Sequence, residues 1–170
     1  MVALRPQFFG LLALLLGPLG CSSEAEFTEA TADVSGNYLV ALTNRTSSCD
    51  FKDWVEGKEA AGIGFNITQD GEALQATVDG VTAIWLGLAL GSAQFEGRAE
   101  QRSIELVNYG SRAQTVESCT FTYDATVDGQ LEGDAISGTI SYAPHTNGAA
   151  SCAKVECQAL QDFSGSRPPR

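Results

Sequence analysis

From Gly36 onward the chain alternates apolar and polar residues in short runs broken by dipeptides that favour tight turns. A period of two sends alternate side chains to opposite faces of a strand, so this stretch is restricted to antiparallel β structure with one buried and one wet face. A strand over 36–43 opens the set. In the next, over 62–69, Ile63, Phe65 and Ile67 share one face, and Asn66 and Thr68 the other. Asp70-Gly71 and Asp79-Gly80 suit type I′ hairpins, because each central residue tolerates positive φ, and they bracket a strand over 73–78. Further strands are expected over 93–99, 103–109, 119–127 and 131–142, with Asp128-Gly129 as a third hairpin. Residues 81–90 are nearly continuously apolar and fit a buried strand or a short helix equally well.

In the last of these strands the alternation changes phase, with Leu131 and Ala135 on one register and Ile136, Ile140 and Tyr142 on the other. A β-bulge near Ala135-Ile136 would reconcile them and add curvature. Counting 81–90 as a strand gives eight in a meander. Closing such a sheet removes its exposed edges, so the expected fold is all-β, a small antiparallel barrel of about eight strands. A two-sheet sandwich is the alternative.

Charge narrows the partners. The formal net charge is -11, and Arg5 is the only charged residue among the first twenty, so its removal takes the chain from -11 to -12. Such a surface repels phosphate backbones and anionic head groups, which argues against nucleic-acid binding. No sequence feature calls for a cofactor.

The N-terminus reads as an export signal: Arg5, then the apolar run from Phe8 to Leu16, then small residues before Cys21. The run is too short to span a bilayer, which takes about 20 apolar residues. Leu19-Gly20-Cys21 resembles the end of a bacterial lipobox, with Pro18 where Leu is usual. The resemblance implies cleavage before Cys21, acylation of that residue, and a lipid-anchored protein of the bacterial cell envelope, at the outer membrane and facing the periplasm or the cell surface. Secretion with cleavage near Gly20 or Ser22 is the alternative. The domains follow as a signal peptide over 1–20, an acidic flexible tether over 21–34, a β-barrel domain over 35–163 with a disulfide-tied C-terminal segment, and a disordered tail over 164–170. A membrane-spanning barrel is disfavoured, since spanning strands need about 9 to 11 residues.

Apart from Cys21, four cysteines remain, Cys49, Cys119, Cys152 and Cys157. An even number in an exported chain implies two disulfides. Strand parity places Cys119 near the segment holding Cys152 and Cys157, and Cys49 at the opposite barrel end. A cysteine of that segment is expected to pair with Cys119 or Cys49. Pairing of Cys152 with Cys157, and of Cys49 with Cys119, is the rival, and spacing alone leaves the connectivity open. Zinc binding is disfavoured, since no CxxC pair exists and His145 is the sole histidine.

Gly36-Asn37-Tyr38 resembles a relaxed form of the Gly-x-Trp that opens lipocalins and related calycin barrels. That resemblance implies a small barrel and carries over no binding residues. An eight-stranded interior can hold one small apolar ligand or be filled by its own side chains; Phe65, Ile67, Leu74, Phe95, Leu106 and Phe121 are the candidates to line it. Trp54 lies in a loop with Phe51, Asp53 and Glu56, and reads as a plug over the barrel end or as a contact for sugar or peptide. Trp85 reads as core. Asp124, Asp128, Glu132 and Asp134 gather near Gly129 and read as a solvated acidic hairpin rather than a Ca²⁺ site. The function expected is non-catalytic binding of a small apolar ligand or an envelope partner. A filled structural barrel, or a carbohydrate-active hydrolase using Asp53, Glu56 or Glu59, are the alternatives.

Overall fold

A computed structural model describes residues 31–169. The export signal over 1–20, the acylation site Cys21 and most of the expected tether lie outside them. Among the described residues nine strands form one antiparallel sheet: β1 (Gly36–Ser47), β2 (Glu59–Asp70), β3 (Ala73–Val78), β4 (Gln94–Glu100), β5 (Ser103–Asn108), β6 (Gln114–Val116), β7 (Cys119–Glu132), β8 (Ala135–Thr146) and β9 (Ala159–Ser166). One helix, α1 (Gly80–Ala89), lies between β3 and β4. The spatial order is β5-β4-β3-β2-β1-β9-β8-β7-β6, and β5 also pairs with β7. Eight strands therefore close into a barrel, and β6 extends it beside the first residues of β7. The alternation is the cause: Tyr38, Val40 and Leu42 of β1 and Ile63, Phe65 and Ile67 of β2 are all buried, while their chain neighbours face out or are half-buried.

The chain departs from the expected strand plan in four places. Residues 81–90 are mostly helix, and Asp79-Gly80 opens α1, with Asp79 at its N-cap, instead of turning a hairpin. An apolar run without alternation has no wet face for a sheet, whereas a helix satisfies its own backbone while burying Leu86. Gly91, at φ 99, ends the helix and donates its N–H to the Leu86 carbonyl. Asp128-Gly129 is likewise no turn. β7 runs on to Glu132, and Gly129 faces the barrel interior because the Phe163 ring needs the space: a Cβ on Gly129 would lie 2.8 Å from that ring, and one on Gly138 equally close. The phase change near Ala135 is a hairpin at Gly133-Asp134, with Leu131 opposite Ile136, and not a bulge.

The eighth barrel strand is β9, bonded to both β1 and β8, so the domain extends past 163 and the expected tail is not a free end. Arg167 is buried. It donates from Nε to Asp134 and from its terminal nitrogens to the carbonyls of Ser35 and Asp33, and lies 5.5 Å from the Tyr38 ring centre. The tether also stops short of 34. Val34 is fully buried, its N–H bonds Gln69, and its carbonyl accepts from the Tyr38 hydroxyl. One apolar side chain at the end of an acidic run is enough to dock these residues, because the Gln69 amide satisfies the backbone they bring with them.

These elements give the barrel unlike ends. Three two-residue hairpins, with Gly71, Gln101 and Gly133 at φ 62, 53 and 62, meet at one end with Val34 and Arg167. Long connections over 48–58, 79–93, 109–118 and 147–158 gather at the other, the mouth. Replacing a strand by α1 reverses the parity of every later strand, so Cys49 and Cys119 lie at the same end, contrary to the expected opposition. Both disulfides are there, Cys49–Cys157 and Cys119–Cys152. The C-terminal segment is thus tied to both earlier cysteines, and the Cys152–Cys157 rival does not occur.

Candidate functional site

At the mouth, the β1–β2 connection folds over the barrel. Cys49 is held by Cys157, and the turn from Phe51 is closed by bonds from the N–H of Trp54 to the Phe51 carbonyl and from Lys58 to the Val55 carbonyl. Positive φ at Asp53 and Gly57 lets this loop double back within a few residues. Phe51 becomes a hub, with ring centres 4.8 Å from Tyr123, 5.7 Å from Trp54, 5.9 Å from Tyr142 and 6.0 Å from Trp85. Trp54 is thereby the plug over the barrel end that its loop position suggested. Its indole N–H donates to the Arg45 carbonyl.

Two spaces adjoin this cluster. Inside the barrel, Phe65, Phe95, Val127, Ile140 and Phe163 enclose an apolar void of about 40 Å³. Above it lies an open cleft of about 350 Å³, bordered by Lys52, Asp53, Trp54, Lys58, Glu59 and Trp85. Leu42, Thr82 and Tyr142 border both and form the partition. Tyr142 is fixed there by a polar relay: its hydroxyl donates to Gln161, Gln161 donates to Asn44, and Asn44 donates to the Val55 carbonyl. Burial pushes the Tyr142 phenol well above the ordinary tyrosine range; the Tyr123 phenol is also raised, by burial first and by the charge of Asp50 second.

The residues singled out from sequence therefore divide. Trp54 borders the cleft, and Phe65 and Phe95 border the void, edge to face at 6.4 Å. Ile67, Leu74 and Leu106 are ordinary core. Phe121 is buried at the start of β7 against Tyr123 and borders neither space. Asp53 and Glu59 share the cleft, and Glu56 stands apart from it. Trp85 is not strand core: α1 carries it, half-exposed, to the cleft. The acidic residues expected to gather near Gly129 are strung along β7 and its hairpin to β8; Asp124 accepts from the Gly110 N–H and meets His145 at 3.1 Å, while Asp134 in the hairpin meets Arg167. No group of three or more metal-ligating side chains occurs among the described residues. Lys52, Lys58 and Gln161 had no sequence signal beyond residue type, since their convergence depends on how the β1–β2 connection folds over the mouth and on β9.

Comparison with protein-family models finds no match to this chain, and comparison with curated proteins finds none.

Proposed function

We propose that this chain is a lipid-anchored lipoprotein of the bacterial envelope whose barrel is a filled scaffold and whose mouth cleft binds a ligand without catalysing a reaction. The observation that carries this reading is the contrast in volume. Ligand sites occupy about 300 Å³ or more; the cleft reaches that size and the interior void does not. Binding of a small apolar ligand in the barrel is therefore the weaker version, and the mouth the stronger. The anchor fits the geometry. The described chain enters at the hairpin end, through Ala32 and Val34, so a lipid on Cys21 would leave the cleft unobstructed. Export agrees with the two disulfides.

A second reading has one observation in its favour: Asp53 and Glu59 border the same cleft, as a two-carboxylate glycoside hydrolase requires. Native mass spectrometry of protein extracted from envelopes tests the set. The proposal expects acyl mass on Cys21, two disulfides, and a retained ligand lost in Trp54→Ala. An unacylated mature chain would remove the anchor, and turnover of an oligosaccharide that Glu59→Gln abolishes would replace binding by hydrolysis.

A further inference from the structure

We infer that the mouth cleft takes a neutral saccharide, stacked on Trp54 and Trp85 and hydrogen-bonded by its charged rim; this rests on the cleft being the binding site. The first argument is the aromatic arrangement. Tyr142 sits between the two indoles, edge to face with each, at 6.1 Å from Trp54 and 5.9 Å from Trp85. Rings at that spacing are packed on one another, and Tyr142 is itself buried, so the two indoles flank a closed aromatic floor. Their partly exposed faces suit a ligand with a flat apolar face.

The second argument is the rim. Lys52 and Lys58 supply donors, and Asp53 and Glu59 supply acceptors, in one cleft. None of the four has an ion-pair partner among the described residues. The two lysines and two carboxylates cancel at the rim, so a ligand of either sign meets as much repulsion as attraction there, and an anion is further opposed by a chain of formal charge -11. Hydroxyl groups donate and accept at once, so a polyhydroxylated neutral ring satisfies both halves. Asn44 and Gln161 are occupied in the relay to Tyr142, so they stiffen the floor and leave recognition to the rim.

Both tryptophans of the chain border the cleft, which makes intrinsic fluorescence a direct readout. The full disulfide-bonded domain is titrated with maltotriose, cellotriose and tri-N-acetylchitotriose, with trigalacturonic acid and chitosan trimer as anionic and cationic counterparts. The expected result is saturable emission change with at least one neutral trisaccharide and weaker binding of both charged ones. Trp85→Ala, read by calorimetry, should weaken it about tenfold or more. Glu59→Gln, on an exposed side chain that leaves the packing intact, should weaken it about fivefold. Preference for a charged trimer, or neutral binding that neither variant changes, would overturn the assignment. The apolar dye N-phenyl-1-naphthylamine separates the two levels. Dye binding that is lost in Trp85→Ala but accompanied by no response to any neutral trimer would overturn the saccharide and keep the cleft; no ligand sensitive to either variant would overturn both.

Discussion

The two ends of the barrel are built by different physics. At the hairpin end every connection spans two residues, and the space left by the strands is filled by Val34, Tyr38 and the hydrogen-bonded guanidinium of Arg167. Local backbone geometry and satisfied polar groups suffice there. At the mouth the connections are long, and α1, an aromatic cluster and two disulfides replace short turns. A loop-rich end so crosslinked holds the open cleft, in keeping with the proposed division between scaffold and binding surface.

If that division holds, removing the covalent ties should cost most. The Cys49–Cys157 bridge closes a separation of 108 residues and Cys119–Cys152 one of 33. Restriction of the unfolded chain then gives about 5 kcal/mol for the first and about 4 kcal/mol for the second. Urea unfolding of C49S/C157S and C119S/C152S measures both, and equal or reversed losses would break the loop-length argument. Next comes the closed end. Arg167→Ala removes its hydrogen bonds to Asp134 and to the Ser35 and Asp33 carbonyls and its contact over Tyr38, so a loss of about 3 kcal/mol is expected. A loss under about 1 kcal/mol, the range of a surface pair, would show that this end is held without the arginine.

The buried phenol of Tyr142 gives the mouth a pH signature. Its folded pKa lies above the unfolded value of about 10, so the unfolded chain loses the proton first as pH rises. Stability should be level below about pH 9 and fall by about 1 kcal/mol at pH 11 from this group. Tyr142→Phe should flatten that decline in a series of urea midpoints. The smallest effect concerns the hairpins. Gln101 holds the positive φ that Gly71 and Gly133 hold elsewhere, and Gln101→Gly should stabilise by about 0.5 kcal/mol, the strain relieved less the added chain entropy.

Legibility in the sequence follows the same divide. The face made by Ile63, Phe65 and Ile67 was readable because alternation was complete, and closure followed from the need to hide edges. β9 was not. Its inward positions are Ala159, Gln161, Phe163 and Gly165, of which only two are substantially apolar; Gln161 is accommodated by Tyr142 and Asn44, and Gly165 by the backbone of Leu39, 2.5 Å from where a Cβ would stand. Glycine was a faithful turn signal at Gly71 and a misleading one at Gly129. Gly129 looked like a turn residue and is a packing residue, a distinction set by Phe163, 34 positions away. Of the cleft, Trp54 was readable from its loop beside Cys49, whereas Trp85 joined it only because 81–90 coils into a helix.

Hydrogen exchange followed by mass spectrometry, before and after selective reduction of both bridges, tests the contrast between the ends most directly. Protection should fall throughout as stability is lost, but furthest in the segments 48–58, 109–118 and 147–158, with 33–38 and 164–167 remaining the better protected. Protection at Val34, Tyr38 and Arg167 that falls as far as at the mouth would mean that the closed end does not stand by itself, and the division into scaffold and binding surface would fail.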